Sequence, residues 1–273
     1  MTAQVYDDRC CTLGEGPLWH PARQELFWFD ILEKRLHSAA QTWTFDRYVS
    51  AAGWIDETQL LIASSTDLFV FDLTTGAQTH LVELEADKPN TRSNDGRADP
   101  WGGFWIGTMG LNAEPEAGAI YRFFGGKITK LYDKVSIPNA ISFAPDGSCA
   151  YFADTATQRV MRQPLDAQGW PQGKPQLHVD LTQEDLNPDG AVTDADGVLW
   201  IACWGASKVI GYDPSGACVG ELRFPASQMT CPALAPGTLY ATSAAEGIEE
   251  PQGGKTFALN TDIPFKPEAQ IAL

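Results

Sequence analysis

Four oxygen-bearing side chains, Glu15, Asn94, Asn139 and Asp189, recur in matching contexts along the chain. Each lies beside glycine or proline just before a short apolar segment, in "GEGPLW", "SNDGRA", "PNAISF" and "PDGAVT". Carboxylate and carboxamide oxygens bind hard or borderline divalent cations such as Ca²⁺, Mg²⁺ or Mn²⁺, and Zn²⁺ is also compatible. A bound cation with an open position can polarise a carbonyl group and activate water, so hydrolysis of a carbonyl ester is the natural reaction.

Arg92 lies two residues before Asn94 and therefore on the same face of a strand. Its guanidinium could bind carboxylate or hydroxyl oxygens of a substrate. Alternation along this strand directs Arg92 and Asn94 toward one side and Ser93 and Asp95 toward the other. From Gly96 onward, the chain is expected to form a turn that leads into the next strand.

The elements that must position these side chains form a repeat. Turn signals followed by an aromatic or apolar strand segment recur six times, with anchors at Phe27, Leu61, Trp105, Tyr151, Trp200 and Tyr240. The intervals between anchors average about 43 residues, close to the length of a four-stranded propeller blade. Convincing helical periodicity is absent. The sequence therefore predicts an all-β fold, a six-bladed β-propeller, in which residues 1–273 form one domain.

The four oxygen-bearing side chains share one phase of this repeat, since they lie 12, 11, 12 and 11 residues before their anchors. The innermost strands of a propeller line its central channel, so these side chains are expected to meet at one mouth of the channel. In the other two blades, Gly53 with Trp54 and residues 230–232 are expected to supply an apolar wall. The chain ends, near "AQVYD" and "AQIAL", are expected to pair within one blade and close the ring.

Composition excludes several classes of partner. Lys and Arg total 19 against 35 Asp and Glu, which gives a formal charge of −16 that repels nucleic acid and anionic lipid. Neither a basic and apolar leader nor a long apolar segment is visible, so we expect a cytoplasmic protein without membrane contact. The six scattered cysteines are expected to be reduced, and the chain to be a monomer or a weak homo-oligomer.

Nearly the whole chain resembles the regucalcin, gluconolactonase and luciferin-regenerating-enzyme-like family of six-bladed propellers. The resemblance is carried by "LGEGPLW", "RSNDGRADPWGGFWIGTM", "IPNAISFAPDG" and "NPDGAVTDADGVLWIACWG", in that order and at family-like spacing. It implies that Glu15, Asn139 and Asp189 bind one divalent metal ion and that Asp189 also acts as the catalytic base. It implies further that Arg92 and Asn94 contact a sugar lactone.

One segment departs from the family pattern. Some members use a glutamate soon after "GTM" to hold substrate hydroxyl groups, whereas Met109 is here followed by "GLNAEPEAG". Asn112 lies near that position, with Glu114 and Glu116 slightly later, and Asn112 and Glu114 are taken as candidate substrate-binding residues.

The resulting hypothesis is a metal-dependent lactonase that hydrolyses an aldonolactone, with gluconolactone as the leading candidate. Asp189 could act as general base or as nucleophile. Two alternatives stay open, namely an esterase or phosphotriesterase on the same scaffold and a non-catalytic metal-binding propeller. The bound metal ion could be Ca²⁺, Zn²⁺, Mn²⁺ or Mg²⁺.

Overall fold

Six four-stranded antiparallel sheets make up the protein, whose computed structural model describes residues 2–273. Its strands, in chain order, are β1 (Gln4–Asp7), β2 (Gly14–His20), β3 (Glu25–Asp30), β4 (Arg35–Ser38), β5 (Thr42–Thr44), β6 (Val49–Trp54), β7 (Gln59–Ser64), β8 (Asp67–Asp72), β9 (Gln78–Glu83), β10 (Thr91–Ala98), β11 (Phe104–Gly110), β12 (Gly118–Phe124), β13 (Lys127–Val135), β14 (Pro138–Phe143), β15 (Cys149–Asp154), β16 (Arg159–Pro164), β17 (Gln176–Asp180), β18 (Asn187–Thr193), β19 (Leu199–Trp204), β20 (Lys208–Tyr212), β21 (Cys218–Arg223), β22 (Met229–Ala235), β23 (Thr238–Ser243) and β24 (Thr256–Asn260). A short 3-10 turn, Thr155–Thr157, follows β15. The predicted six-bladed β-propeller is confirmed.

Blades 1 to 5 are each built from four consecutive strands, beginning with β2–β5 and ending with β18–β21. Blade 6 combines β22, β23 and β24 with the N-terminal strand β1. The innermost strands β2, β6, β10, β14, β18 and β22 contact one another in turn, and β22 contacts β2, so the blades form a closed ring. All six predicted anchors lie on the second strand of a blade.

The hydrophobic core is divided into six clusters, one between each pair of neighbouring blades. In β3, Phe27 and Phe29 pack toward blade 2, whereas Leu26 and Trp28 pack toward blade 6. Successive side chains of a strand point to opposite faces, so a strand covered on both faces is apolar throughout. This double burial explains why the anchor segments are continuous apolar runs such as "ELFWFD".

The predicted closure of the ring is confirmed for the N-terminal segment only. The N-terminal segment forms β1 and pairs with β24, with Val5 opposite Phe257. The segment "AQIAL" forms no strand, so its predicted pairing is wrong. Its backbone instead bonds to other blades, because the Ile271 amide donates to the Trp54 carbonyl at 2.9 Å and the Ala272 amide donates to the Gly102 carbonyl at 2.9 Å.

The C-terminal segment, residues 261–273, thereby crosses the end of the channel where the innermost strands finish. The Lys266 ammonium donates to the carbonyl of Phe143, the last residue of β14, at 2.8 Å. The Glu268 carboxylate forms a buried ion pair with Arg97 of β10. This segment therefore closes the channel at the end away from the first residues of the innermost strands.

Two further expectations concern the chain as a whole. All six cysteines are free thiols. Within residues 2–273, no helix has the length and apolar character that crossing a bilayer requires.

Candidate active site

A cavity of about 630 Å³ opens at the end of the channel where the innermost strands begin. It is lined by the five residues that the sequence brought together by phase and strand alternation, namely Glu15, Arg92, Asn94, Asn139 and Asp189. All five are at most 6% exposed. Blades 1, 3, 4 and 5 thus contribute polar side chains to one buried surface.

The innermost strands share a further feature, a β-bulge at the same height in every blade. The pairing register with the second strand shifts between Glu15 and Leu18, Val49 and Ala51, Ser93 and Gly96, Asn139 and Ser142, Pro188 and Ala191, and Met229 and Pro232. A bulge adds a residue to one strand and redirects its side chains, and bulges are enriched beside active sites. The bulges therefore set the direction of the cavity-lining side chains.

Glu15 illustrates how the bulge is built. The Gly16 amide donates to Glu15 Oε2 at 2.9 Å, which fixes one carboxylate oxygen. Gly16 has a φ of 52°, and a side chain there would collide with the Ser50 carbonyl of the neighbouring blade. The glycine after the glutamate is therefore required both for its backbone conformation and for the close contact between blades 1 and 2.

Glu15 and Asp189 form a buried acidic pair, and each changes the pKa of the other. Burial raises the pKa of Glu15 to about 8, and the nearby Asp95 charge adds to the rise. Burial also raises the pKa of Asp189 well above its usual range, followed by repulsion from Glu15. In this position, one of the two carboxyl groups keeps a proton unless a cation offsets their charge.

A chain of hydrogen bonds crosses blades 3, 4 and 5 beside this pair. Arg92 Nη1 donates to Asn94 Oδ1 at 2.8 Å, and Asn94 Nδ2 donates to Asn139 Oδ1 at 3.2 Å. Asn139 Nδ2 donates to Thr155 Oγ1 at 2.8 Å, and the Thr155 hydroxyl donates to the Pro188 carbonyl at 2.7 Å. This series of hydrogen bonds ends at Pro188, directly before Asp189. It links the orientation of one polar residue to the next across the cavity.

Comparison with known proteins places this geometry in a family. The sequence model of the SMP-30/Gluconolactonase/LRE-like region matches residues 13–245, most of the chain. The chain belongs to the SMP-30/gluconolactonase/LRE-like family.

Relatives within this family match over nearly their full length. A Rhizobium meliloti protein provisionally named a sugar lactone lactonase is 43% identical, with 100% of this chain and 98% of the relative covered. The L-arabinolactonase of Azospirillum brasilense is 33% identical, with 95% and 92% covered. The crystal structure of a calcium-binding protein, regucalcin, from Agrobacterium tumefaciens has a TM-score of 0.97 and 42% identity, with 100% and 98% covered.

The oxygen atoms that line this cavity fit a hard divalent cation. Glu15 and Asp189 supply negative charge that the pair itself cannot neutralise, and Asn139 supplies an oriented carboxamide oxygen. Among residues 2–273, no group of three or more His, Cys, Asp or Glu side chains is placed to hold a metal ion. A site here would thus combine two carboxylates with neutral oxygen ligands.

The structure does not bring Asn112 and Glu114 to the cavity. Both lie in the turn between β11 and β12, where Asn112 Nδ2 donates to Glu114 Oε1 at 2.9 Å and the Asn112 amide donates to Glu114 Oε2 at 3.0 Å. Met109 and Ala113 are the residues of this segment that line the cavity. Asn112 and Glu114 therefore stabilise their own turn, and the lining does not support their predicted contact with substrate.

The predicted apolar wall is wrong. Trp54 lies at the opposite end of the channel, where its Nε1 donates to the Glu268 carbonyl at 3.0 Å. The Thr230 hydroxyl is buried against the Gly14 carbonyl within the ring. The apolar lining comes instead from Leu13, Met109, Ile137 and Trp204.

The predicted border near Gly96 is also wrong, because β10 continues to Ala98 after its bulge. Asp95 lies inward, where its Oδ2 accepts a hydrogen bond from the Ile141 amide of blade 4 at 2.7 Å. Arg97 Nη2 donates to the Ala191 carbonyl of blade 5 at 2.8 Å. The bulge interrupts the simple alternation, so these two residues fill the channel below the cavity.

The sequence did not predict three polar lining residues that follow second strands. Thr155 and Gln158 lie after the second strand of blade 4, and Glu246 lies after the second strand of blade 6. The phase of the repeat marks only the starts of the innermost strands. A search for polar residues directly after the second strands, which end at the same mouth, could have found all three.

Proposed function

We propose that the protein hydrolyses the ester bond of a sugar lactone with the help of a divalent cation, with gluconolactone as the first candidate substrate. The observation that carries the proposal is the buried pair of Glu15 and Asp189 in a cavity that also holds Arg92, Asn94 and Asn139. The names of the relatives support this reaction class, since one is an L-arabinolactonase and another is provisionally named a sugar lactone lactonase.

Glu15, Asn139 and Asp189 would hold the cation. A divalent cation at this position would polarise the lactone carbonyl and acidify a water molecule. Its charge would also replace the proton that the carboxylate pair otherwise needs, so both carboxylates could be ionised in the loaded protein. The calcium-binding regucalcin of Agrobacterium tumefaciens makes Ca²⁺ the first cation to test.

The protein's own groups would divide the remaining work. Arg92 and Asn94 would orient the ring and hydroxyl oxygens of the lactone, because both residues line the cavity. An Asp189 carboxylate oxygen would accept a proton from the attacking water. As the ring C–O bond breaks, Asp189 would pass that proton to the departing ring oxygen, which becomes a hydroxyl group. Burial and repulsion from Glu15 raise the pKa of Asp189 in the metal-free protein, and a bound cation would lower it again.

The test is a pH-indicator assay on several aldonolactones and on an aryl ester and a phosphotriester without hydroxyl groups. Each substrate is measured with untreated protein, after chelation, and after separate addition of Ca²⁺, Mg²⁺, Mn²⁺ and Zn²⁺. We expect aldonolactones to open faster than the spontaneous rate, with loss of that excess after chelation. If no lactone opens faster than the spontaneous rate with any cation, the proposed function is rejected.

The ester substrates distinguish the proposal from a general esterase on this scaffold. Arg92 and Asn94 favour a hydroxylated substrate, since buried polar groups that meet an apolar substrate lose their hydrogen bonds. We therefore expect lactones to react much faster than the aryl ester and the phosphotriester. A preference for the latter two would replace the lactonase proposal with an esterase.

A further inference from the structure

Glu246 is the cavity-lining residue of blade 6 and lies in the turn that follows β23. In a closed ring of six blades, blade 6 lies opposite blade 3, which carries Arg92. Burial lowers the pKa of the Arg92 guanidinium, and the carboxylates of Glu15 and Glu246 oppose that lowering. Glu246 and Arg92 therefore act on each other electrostatically across the same cavity.

The backbone around Glu246 is anchored on both sides. The Ala245 amide donates to the carbonyls of Cys11 and Thr12, at 3.2 and 3.1 Å. Later in the turn, Glu250 Oε2 accepts hydrogen bonds from the Ser227 amide and hydroxyl, each at 2.9 Å. The position of Glu246 is thus fixed by contacts that do not involve its own side chain.

The Glu246 carboxylate is exposed and forms no hydrogen bond or ion pair with any of residues 2–273. This state differs from that of Glu114, whose carboxylate accepts a hydrogen bond from its own turn, and from that of Glu250, whose carboxylate accepts hydrogen bonds from Ser227. An ionised carboxylate has about four lone-pair positions for hydrogen-bond donors and cannot itself donate. Glu246 therefore presents an acceptor to whatever enters the cavity.

The charge of the cavity lining is unbalanced. Three carboxylates, Glu15, Asp189 and Glu246, share it with one guanidinium, Arg92. A divalent cation at Glu15 and Asp189 would offset those two carboxylates, and Arg92 already bonds to Asn94 and to the Ser93 carbonyl through Nη1. Glu246 would remain as negative charge at the exposed side of the cavity.

We propose that Glu246 determines specificity in this cavity by accepting hydrogen bonds from hydroxyl groups of a neutral lactone and by repelling lactones that carry a phosphate or sulfonate. This inference rests on the proposed lactonase function. Hydroxyl groups satisfy an acceptor-only group, whereas a second anion in its place would leave two like charges adjacent. The substrate class is therefore a polyhydroxylated lactone without an anionic substituent.

The experiment compares the wild-type protein with Glu246→Gln and Glu246→Lys. Glu249→Lys is the matched control, because it makes the same charge change three residues later in the same exposed turn without touching the cavity lining. The substrates are D-glucono-1,5-lactone and its 6-phosphate, and kcat/KM is measured for each with Ca²⁺ present. Binding of D-glucitol and its 6-phosphate to the calcium-loaded proteins is measured by calorimetry.

We expect the wild-type protein and Glu249→Lys to prefer the neutral compounds in both measurements. Glu246→Gln should reduce that preference about tenfold, and Glu246→Lys should reduce it further or reverse it. An unchanged preference in both Glu246 variants would overturn the inference while leaving lactone hydrolysis intact. If no lactone is opened, the proposed function fails, and the calorimetric preference alone decides whether Glu246 selects neutral polyols.

Discussion

Asn94 Nδ2 donates a hydrogen bond to Asn139 Oδ1 at 3.2 Å, across the boundary between blades 3 and 4. The other end of the Asn139 carboxamide is held as well, because its Nδ2 donates to Thr155 Oγ1 at 2.8 Å. The carboxamide therefore cannot rotate without breaking a bond at each end. Such outer contacts fix the direction of a ligand oxygen before a cation arrives, which lowers the ordering cost of binding.

Replacement of Thr155 tests this positioning role. Thr155→Val removes the acceptor for Asn139 Nδ2 and the donor to the Pro188 carbonyl at similar side-chain volume. We expect the affinity for Ca²⁺ to fall by about 10- to 100-fold, as for other residues that orient metal ligands. Calorimetric titration with Ca²⁺ measures the change independently of turnover.

Thr157→Val is the control for that substitution. Thr157 is exposed in the same turn, and its hydroxyl donates to the Asp154 carbonyl rather than to a cavity residue. Calcium affinity should stay near the wild-type value in this variant. Equal losses in both variants would mean that the turn as a whole, not the Thr155 hydroxyl, supports the site.

Asp189→Asn should change activity and stability in opposite directions. Loss of the base should lower kcat by about 10²- to 10⁴-fold. Removal of one of two buried carboxylates relieves their repulsion, so the metal-free variant should gain about 1–2 kcal/mol of unfolding free energy at pH 8. Lactone assays and urea unfolding of the same preparation measure both effects, and near-normal kcat would remove Asp189 from the mechanism.

Isotope labelling distinguishes a base from a nucleophile at Asp189. In a single turnover in H₂¹⁸O, a base mechanism transfers the labelled oxygen from water directly to the aldonate carboxylate. We expect the label in the product and none in the peptide that contains Asp189, as measured by mass spectrometry. Label in that peptide would instead indicate an acyl intermediate whose hydrolysis exchanges a carboxylate oxygen of Asp189.

The acidic pair predicts a specific dependence of stability on pH. The pKa of Glu15 is raised from 4.5 to about 8 by burial, so the metal-free folded protein binds more protons than the unfolded chain between these pH values. The free energy of unfolding should therefore fall as pH rises from about 5 to 8. Urea unfolding in the presence of a chelator measures this slope, and stability that rises through the interval would contradict the prediction.

Cation binding should then release protons. Because burial raises the pKa of Glu15 to about 8, the metal-free carboxylate pair should hold a proton at pH 7 that Ca²⁺ would displace, so the observed binding enthalpy should vary with the ionisation enthalpy of the buffer. Titration in two buffers of different ionisation enthalpy gives the number of protons released, expected to be about one. Asp189→Asn provides the control, because its pair has lost one titrating group.

The ion pair at the far end of the channel should be structurally important. The side chains of Arg97 and Glu268 are 9% and 8% exposed, so Glu268→Ala leaves a buried guanidinium without its counter-ion. We expect a loss of about 3–5 kcal/mol of unfolding free energy. Glu221→Ala, which breaks surface ion pairs with Lys208 and Arg223, should cost less than about 1 kcal/mol.

The fold could be predicted because neighbouring structure covers both faces of the second strand in every blade. A second strand covered on both faces must be apolar throughout, and this requirement marks Phe27, Trp105 and Trp200 at regular intervals. The phase of Glu15 and Asp189 relative to those anchors was sufficient to bring them to one mouth.

The sequence predicted side-chain directions wrongly where they do not follow the simple alternation of a strand. Asp95 and Arg97 point into the channel because a bulge intervenes, and the pairing register that creates it is a property of two strands together. The predicted contact of Asn112 and Glu114 with substrate stays a prediction, and in the structure the two residues bond to each other within their turn. Glu246 was missed because it follows a second strand and so lies outside the innermost-strand phase that marks the other polar cavity residues.

The pairing of Gln4 with Ala258 and of Val5 with Phe257 joins nearly opposite ends of the polypeptide. Among the strand pairs of this fold, β1 and β24 are the farthest apart in sequence. Closing so long a loop costs conformational entropy, so this pair is expected to form late in folding. During synthesis, β1 emerges first and waits without its partner until β24 has left the ribosome. Until β1 and β24 pair, each has an exposed strand edge, and the newly made ring is most vulnerable to aggregation before its final seam forms.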